Sequence, residues 1–188
     1  MGYYAIQISF GHIQLINYLI RLYVRLAFLQ AKPQDVPASP PILVGSVLVM
    51  LASYMAAVLS QLSFIEAVQR AVFEAAFVAI FIYGVLVLRE QKSRFVQTYT
   101  AICGTSIVFN LCYWPILLID AGNDFEGAAK TIIELAETIL FVWGIAVTAH
   151  IYQHAFDLKR WGGVAVALLS VILAIAIMVT IFPHRAVS

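Results

Sequence analysis

Five apolar stretches, each about long enough to cross the hydrocarbon core of a bilayer, constrain this chain more than any other feature. They run over residues 42–60, 71–88, 99–119, 131–155 and 163–182. A crossing helix needs about 20 mainly apolar residues. Lipid offers no partner to open backbone, so such runs must be helices, and they are too long and too evenly apolar for barrel strands. Pro40 and Pro41 suit the start of the first run, and Pro183 closes the last. Composition agrees: 63% of the 188 residues are hydrophobic and 11% are charged, against roughly 45–50% and about 25% in soluble domains. So few charges cannot cover the surface of a soluble domain. The expected fold is therefore an all-α membrane protein: a five-transmembrane-helix bundle over residues 42–182, followed by a short outer tail at 183–188.

Residues 1–32 read differently. Gln14, Asn17, Arg21 and Arg25 recur at spacings of three and four, and so line one side of a helix. Each arginine at the centre of a span would cost about 2.5–3.5 kcal/mol. Lying in the interface, with Arg21 and Arg25 toward anionic headgroups, avoids that cost. The expectation is an amphipathic surface helix, joined to the first span by a stiff Pro-rich linker at 33–41. The same two arginines interrupt what would otherwise be the uncharged core of a signal peptide, so no cleavable leader is expected.

Charge placement sets an orientation. With the N-terminus inside, the cytoplasmic segments hold Arg21, Arg25, Lys32, Arg89, Lys92, Arg94, Lys159 and Arg160, eight basic residues. The outer segments hold three, Arg70, Lys130 and Arg185. The positive-inside rule then gives N-in/C-out. The net charge of +1 offers nothing to nucleic acid. Cys103 and Cys112 share one span, about 13 Å apart along its axis, too far to bridge, and read as buried apolar fillers.

Three groups carry possible chemistry. His150, His154 and Asp157 fall at i, i+4 and i+7, on one helix face, a spacing that suits a divalent metal. The Glu of a hydrolytic His-Glu-x-x-His motif is missing, and an ordinary helix end has the same composition. A haem held by two histidines would need a second imidazole at matching depth, for which His12 is the candidate on that side. Glu66, Glu74, Glu134 and Glu137 gather toward the outer leaflet, and a pair such as Glu74 and Glu137 suits a cation or a proton. Arg70 and Lys130, four residues from Glu74 and Glu134, are the expected neutralising partners; Glu137 has none. Asn110, upstream of Pro115, either lines a polar cavity or hydrogen-bonds a neighbouring helix. Small residues spaced by four (Ala71, Ala75 and Ala79; Gly163 and Ala167) permit close helix contact. Trp143 reads as internal packing. Gly-rich phosphate loops, nucleophile elbows and paired-cysteine metal motifs are absent from the sequence, so neither a catalytic centre nor a cofactor is expected.

The layout resembles the Yip1 domain family of small five-span membrane proteins. The likeness lies in the amphipathic N-terminal portion, the linker Lys32-Pro33-Gln34-Asp35-Val36-Pro37 and the short turn into Arg94-Phe95-Val96-Gln97-Thr98-Tyr99-Thr100. It continues through the polar, Pro-containing third span and the run from Trp143 to Phe156. Eukaryotic members act in vesicle traffic with small GTPases through an N-terminal Asp-Leu-Tyr-Gly-Pro motif that this sequence lacks. The short loops look like those of a bacterial inner-membrane member, for which the family implies no defined reaction.

Two functions are expected from these features. One is a non-enzymatic scaffold or accessory subunit, docking other membrane subunits or its own copies while the N-terminal helix grips anionic lipid. The alternative is an oligomeric transporter or channel-like protein that handles a cation or proton through Glu74, Glu137 and Asn110.

Overall fold

The computed structural model describes residues 2–123 and 125–182, with side chains from residue 14 onward. The outer tail, Asp124 and the His12 imidazole lie outside the described residues. The described residues form six helices: α1 (Gly2–Ala27), α2 (Pro40–Val58), α3 (Phe64–Leu88), α4 (Phe95–Ala121), α5 (Ala128–Ala155) and α6 (Arg160–Ile181). Single 3₁₀ turns sit at Pro33–Asp35 and Lys92–Arg94. Helices α2 to α6 are each long and apolar enough to cross a membrane, so the fold is that of a multi-pass membrane protein.

Local signals set the ends of these helices. Pro40 and Pro41 occupy the first positions of α2, where a missing N–H costs nothing. Helix α3 begins earlier than its apolar run indicates. The Ser63 hydroxyl accepts the Glu66 N–H at 3.3 Å, capping the helix, and Glu66 and Arg70 form an ion pair at 2.8 Å within the added turns. Helix α4 runs through Pro115 without interruption.

Helix α4 is the central element, packing against α1, α2, α3 and α5, while α5 carries α6. Its run from Thr98 to Thr105 is wholly buried. The Thr98, Thr100 and Thr105 hydroxyls donate to the carbonyls of Arg94, Val96 and Ala101, at 2.8, 2.6 and 3.1 Å. These bonds let polar side chains enter an apolar core without leaving a donor unmet. Two glycines set the closest crossings. A Cβ at Gly163 would stand 2.6 Å from the Ala149 carbonyl oxygen, so α5 and α6 meet backbone to backbone. A Cβ at Gly104 would overlap the ring of Tyr23, which is packed directly against α4.

That second crossing seats the last turns of α1 in the bundle. Leu22, Tyr23, Leu26 and Ala27 are buried, whereas Arg21 and Arg25 stay exposed. The Tyr23 hydroxyl and Ser46 Oγ are 2.6 Å apart, and the Trp143 indole N–H donates to the Ala27 carbonyl at 2.9 Å. Part of the apolar side expected to face lipid therefore faces protein. Within the linker expected at residues 33–41, the part from Pro33 to Val36 packs against the bundle. Pro33 and Val36 are buried, Gln97 Nε2 donates to the Val36 carbonyl at 2.9 Å, and Gln34 Nε2 donates to the His154 carbonyl at 2.6 Å. Of the two cysteines, which are both free, only Cys103 is the expected buried filler; Cys112 is exposed.

Candidate functional site

Glu74 projects from α3 into an open cavity of about 220 Å³ lined by residues of all five apolar helices, and its side chain is exposed to that space. Tyr54 of α2, Thr105, Ser106 and Asn110 of α4, and Thr148 of α5 supply its polar lining. Among the described residues the Glu74 carboxylate has no hydrogen-bond donor and no ion-pair partner. The expected neutralisation by Arg70 does not occur. Arg70 Nη2 turns back to Glu66 at 2.8 Å, which agrees with the preference for the acid to precede the base in an i, i+4 pair. The expected Lys130–Glu134 pair fails on the same ground. Lys130 Nζ reaches Asp120 across the α4–α5 connection, at 2.7 Å.

Glu137 lies in a separate, wider space. A mouth of about 1350 Å³ at the α2–α3 end holds Gln61, Glu66, Gln69, Arg70 and Glu137. Tyr54 and Tyr113 line both this mouth and the central cavity, and so stand at the neck where the two adjoin. The Tyr113 hydroxyl donates to the Glu137 main-chain carbonyl at 3.1 Å. The structure thus brings Glu74 and Asn110 into one cavity and places Glu137 outside its neck. Asn110 also meets its bland expectation, since Nδ2 donates to Ser53 Oγ of α2 at 3.0 Å.

On its other side the cavity continues into a crevice of about 380 Å³ between α3 and α6. Glu74, Ser106, Phe141 and Thr148 border both spaces, and Phe73, Phe77, Tyr152 and Met178 give the crevice its apolar wall.

The histidine group is not assembled for metal. The imidazoles of His150 and His154 have centroids 4.6 Å apart, but His150 Nε2 is 2.9 Å from the Ala31 carbonyl oxygen. Asp157 turns to Arg94 at 2.9 Å and to Gln91 Nε2 at 2.7 Å. Among the described residues no group of three His, Cys, Asp or Glu side chains is disposed to hold a metal ion. The Arg94 guanidinium, with help from Gln91, holds the Asp157 carboxyl below the usual carboxylate range. Arg94 and Arg89 also cap the end of α5, donating to the carbonyls of Ala155 at 3.2 Å and Phe156 at 3.2 Å. Cations at a helix C-terminus are favoured. Arg21 and Arg25 border a hollow with Tyr18 and Asp35 on the outer side of α1, and Arg25 Nη2 donates to the Gln30 carbonyl at 3.3 Å.

Tyr54 and Tyr113 were not singled out in the sequence, nor were Ser106 and Thr148 read as lining a cavity. Their signal was a polar tip on residues that otherwise suit a span. No family model, curated protein or solved structure matches the chain.

Proposed function

We propose that this chain is a non-enzymatic membrane protein whose central cavity takes a cation or a proton at Glu74. The observation that carries the reading is a carboxylate in the middle of an apolar helix, exposed to a cavity lined by all five such helices, with no cationic partner among the described residues. An ionised group in such a place is costly unless something neutralises it. A bound cation or proton does so, and the Tyr54–Tyr113 neck with the Glu137-bearing mouth supplies a route. In this reading the N-terminus faces the cytoplasm of a bacterial cell, the mouth opens outward, and the membrane is the inner one. Eight basic residues against three support that orientation. Arg21 and Arg25, exposed on α1, then stand where anionic headgroups would meet them. The Yip1-like layout is compatible with this topology.

The test is flux of sodium, potassium and protons into proteoliposomes. Glu74→Gln should abolish it, and Glu137→Gln and Asn110→Leu should slow it. Flux indifferent to all three removes the reading. Reporter tags on the first and last residues test the orientation; a cytosolic signal from the C-terminal tag overturns it.

A second reading, the accessory subunit, has its own observation. Helix α2 presents Gly45, Leu48, Val49, Ala52 and Ala56 outward, and a Cβ added at Gly45 would meet nothing within 4 Å. Small outward residues let a further helix, from another subunit or a second copy, approach closely. Co-purification in mild detergent tests it, with Gly45→Leu expected to dissociate the partner. A chain that always emerges alone counts against it.

A further inference from the structure

We infer that the crevice between α3 and α6 admits a lipophilic organic cation from the bilayer and brings its charge to Glu74. This rests on the reading that the cavity holds a cation, and it names the class.

A site serving only inorganic ions needs oxygen ligands and water, and the polar half of the cavity offers these. The other half does not fit that task. From Ser106 and Thr148 outward, the wall changes to Phe73, Phe77, Phe141 and Met178. Ring faces attract a cation through their quadrupoles, most strongly when water is excluded. Aromatic and apolar walls converging on a single acid suit a molecule with one positive centre and bulky apolar arms. Charge complementarity disfavours the matching anion, because among the described residues no Lys, Arg or His lines either space. An acyl chain would fill the aromatic wall but leave the carboxylate unmet.

The route follows from packing. Helices α3 and α6 touch sparsely compared with the α5–α6 pair, which closes backbone to backbone at Gly163. The α6 residues beside the opening, Ile175 and Val179, are 52% and 56% exposed, so the seam faces lipid. A lipophilic cation already partitioned into the membrane would reach Glu74 without passing the Tyr54–Tyr113 neck. With volumes of about 380 and 220 Å³, crevice and cavity approach the scale of ordinary small-molecule sites, roughly 300–1,000 Å³.

The probe is tetraphenylphosphonium, with tetraphenylborate as an anion of the same shape, measured by equilibrium dialysis against protein in nanodiscs. The phosphonium should bind saturably and the borate should not. Glu74→Gln, which keeps the shape and removes the charge, should weaken phosphonium binding on the order of 10- to 100-fold. Phe141→Ala should weaken it about 3- to 30-fold. Glu90→Gln, on the connection between α3 and α4, should change nothing. Ala174→Phe narrows the crevice from α6 without touching the acid. It should lower phosphonium binding while leaving any Glu74-dependent sodium or proton flux in place. Equal binding by wild type and Glu74→Gln, or binding of the borate, overturns the inference. Glu74-dependent ion flux with no phosphonium binding also overturns it, and spares the broader reading. Phosphonium binding through Glu74 without ion flux upholds it and removes ion transport.

Discussion

Replacing Gly104 with valine should release the end of α1 while leaving the five spans folded. The Cβ of any larger residue would overlap the Tyr23 ring, and Gly104 is fixed deep in the buried run of α4. The ring must therefore move, because the central helix cannot. Forcing extra carbons into a packed contact costs about 1–3 kcal/mol. Losing the contact altogether would also expose Tyr23, Leu22 and Leu26, each worth about 1.5–3 kcal/mol when fully buried. The smaller figure sets the shift, since the chain takes the cheaper course, and every 1.4 kcal/mol is tenfold in population. The dissociated state of α1 should then be populated about 5- to 150-fold more often. Cys103, buried beside Gly104, reports on it. With the exposed Cys112 replaced by serine, N-ethylmaleimide should label Cys103 faster by that factor. Adding Tyr23→Ala removes the clash, so the double variant should lose less stability than the two single effects together. Unchanged labelling in Gly104→Val, or strict additivity in the double variant, would refute the idea that this glycine seats α1.

The remaining predictions are simpler. Gly163→Leu should separate α5 from α6, because its Cβ would stand 2.6 Å from the Ala149 carbonyl oxygen; thermal unfolding in detergent should show a large fall, and an unchanged midpoint would sink the crossing. Trp143→Phe keeps an aromatic group but leaves the Ala27 carbonyl without its 2.9 Å donor, at a cost of about 0.5–1.5 kcal/mol beyond the packing lost with the smaller ring, read as a lower thermal midpoint. The Asp157 carboxyl is held below its usual range by Arg94 and Gln91. Its contribution to stability is therefore complete above the unfolded value of about 3.9, and is lost as pH falls through the lower folded value. Asp157→Asn should be less stable at neutral pH and lack that acid-side loss; a variant that matches wild type across pH 2–7 would refute the pairing.

How far the sequence reached depended on which interactions are local. The spans were legible because length and apolarity are properties of a segment alone, and α2 to α6 fall where the five runs lie. What failed were the neutralising pairs. Spacing allowed Arg70 to serve either Glu66 or Glu74, and only helix polarity decides for Glu66. Lys130 chose an acid on another helix, Asp120, which no spacing along α5 reveals. The buried end of α1 was hidden for a related reason. Leu22, Tyr23 and Leu26 mark an apolar face, but sequence periodicity does not say whether lipid or protein covers it. The answer lies in Gly104, far along the chain, whose missing side chain makes the room. The cavity was half legible. Glu74 and Asn110 stood out as costly groups in apolar surroundings, while Tyr54, Tyr113 and Phe141 joined them only through the helix crossings. Had Arg70 turned toward Glu74, the cavity would enclose a satisfied ion pair and offer a cation nothing. Because the pair forms one turn nearer the rim, the deeper acid is left to an outside partner, and that single choice converts a structural carboxylate into a candidate site.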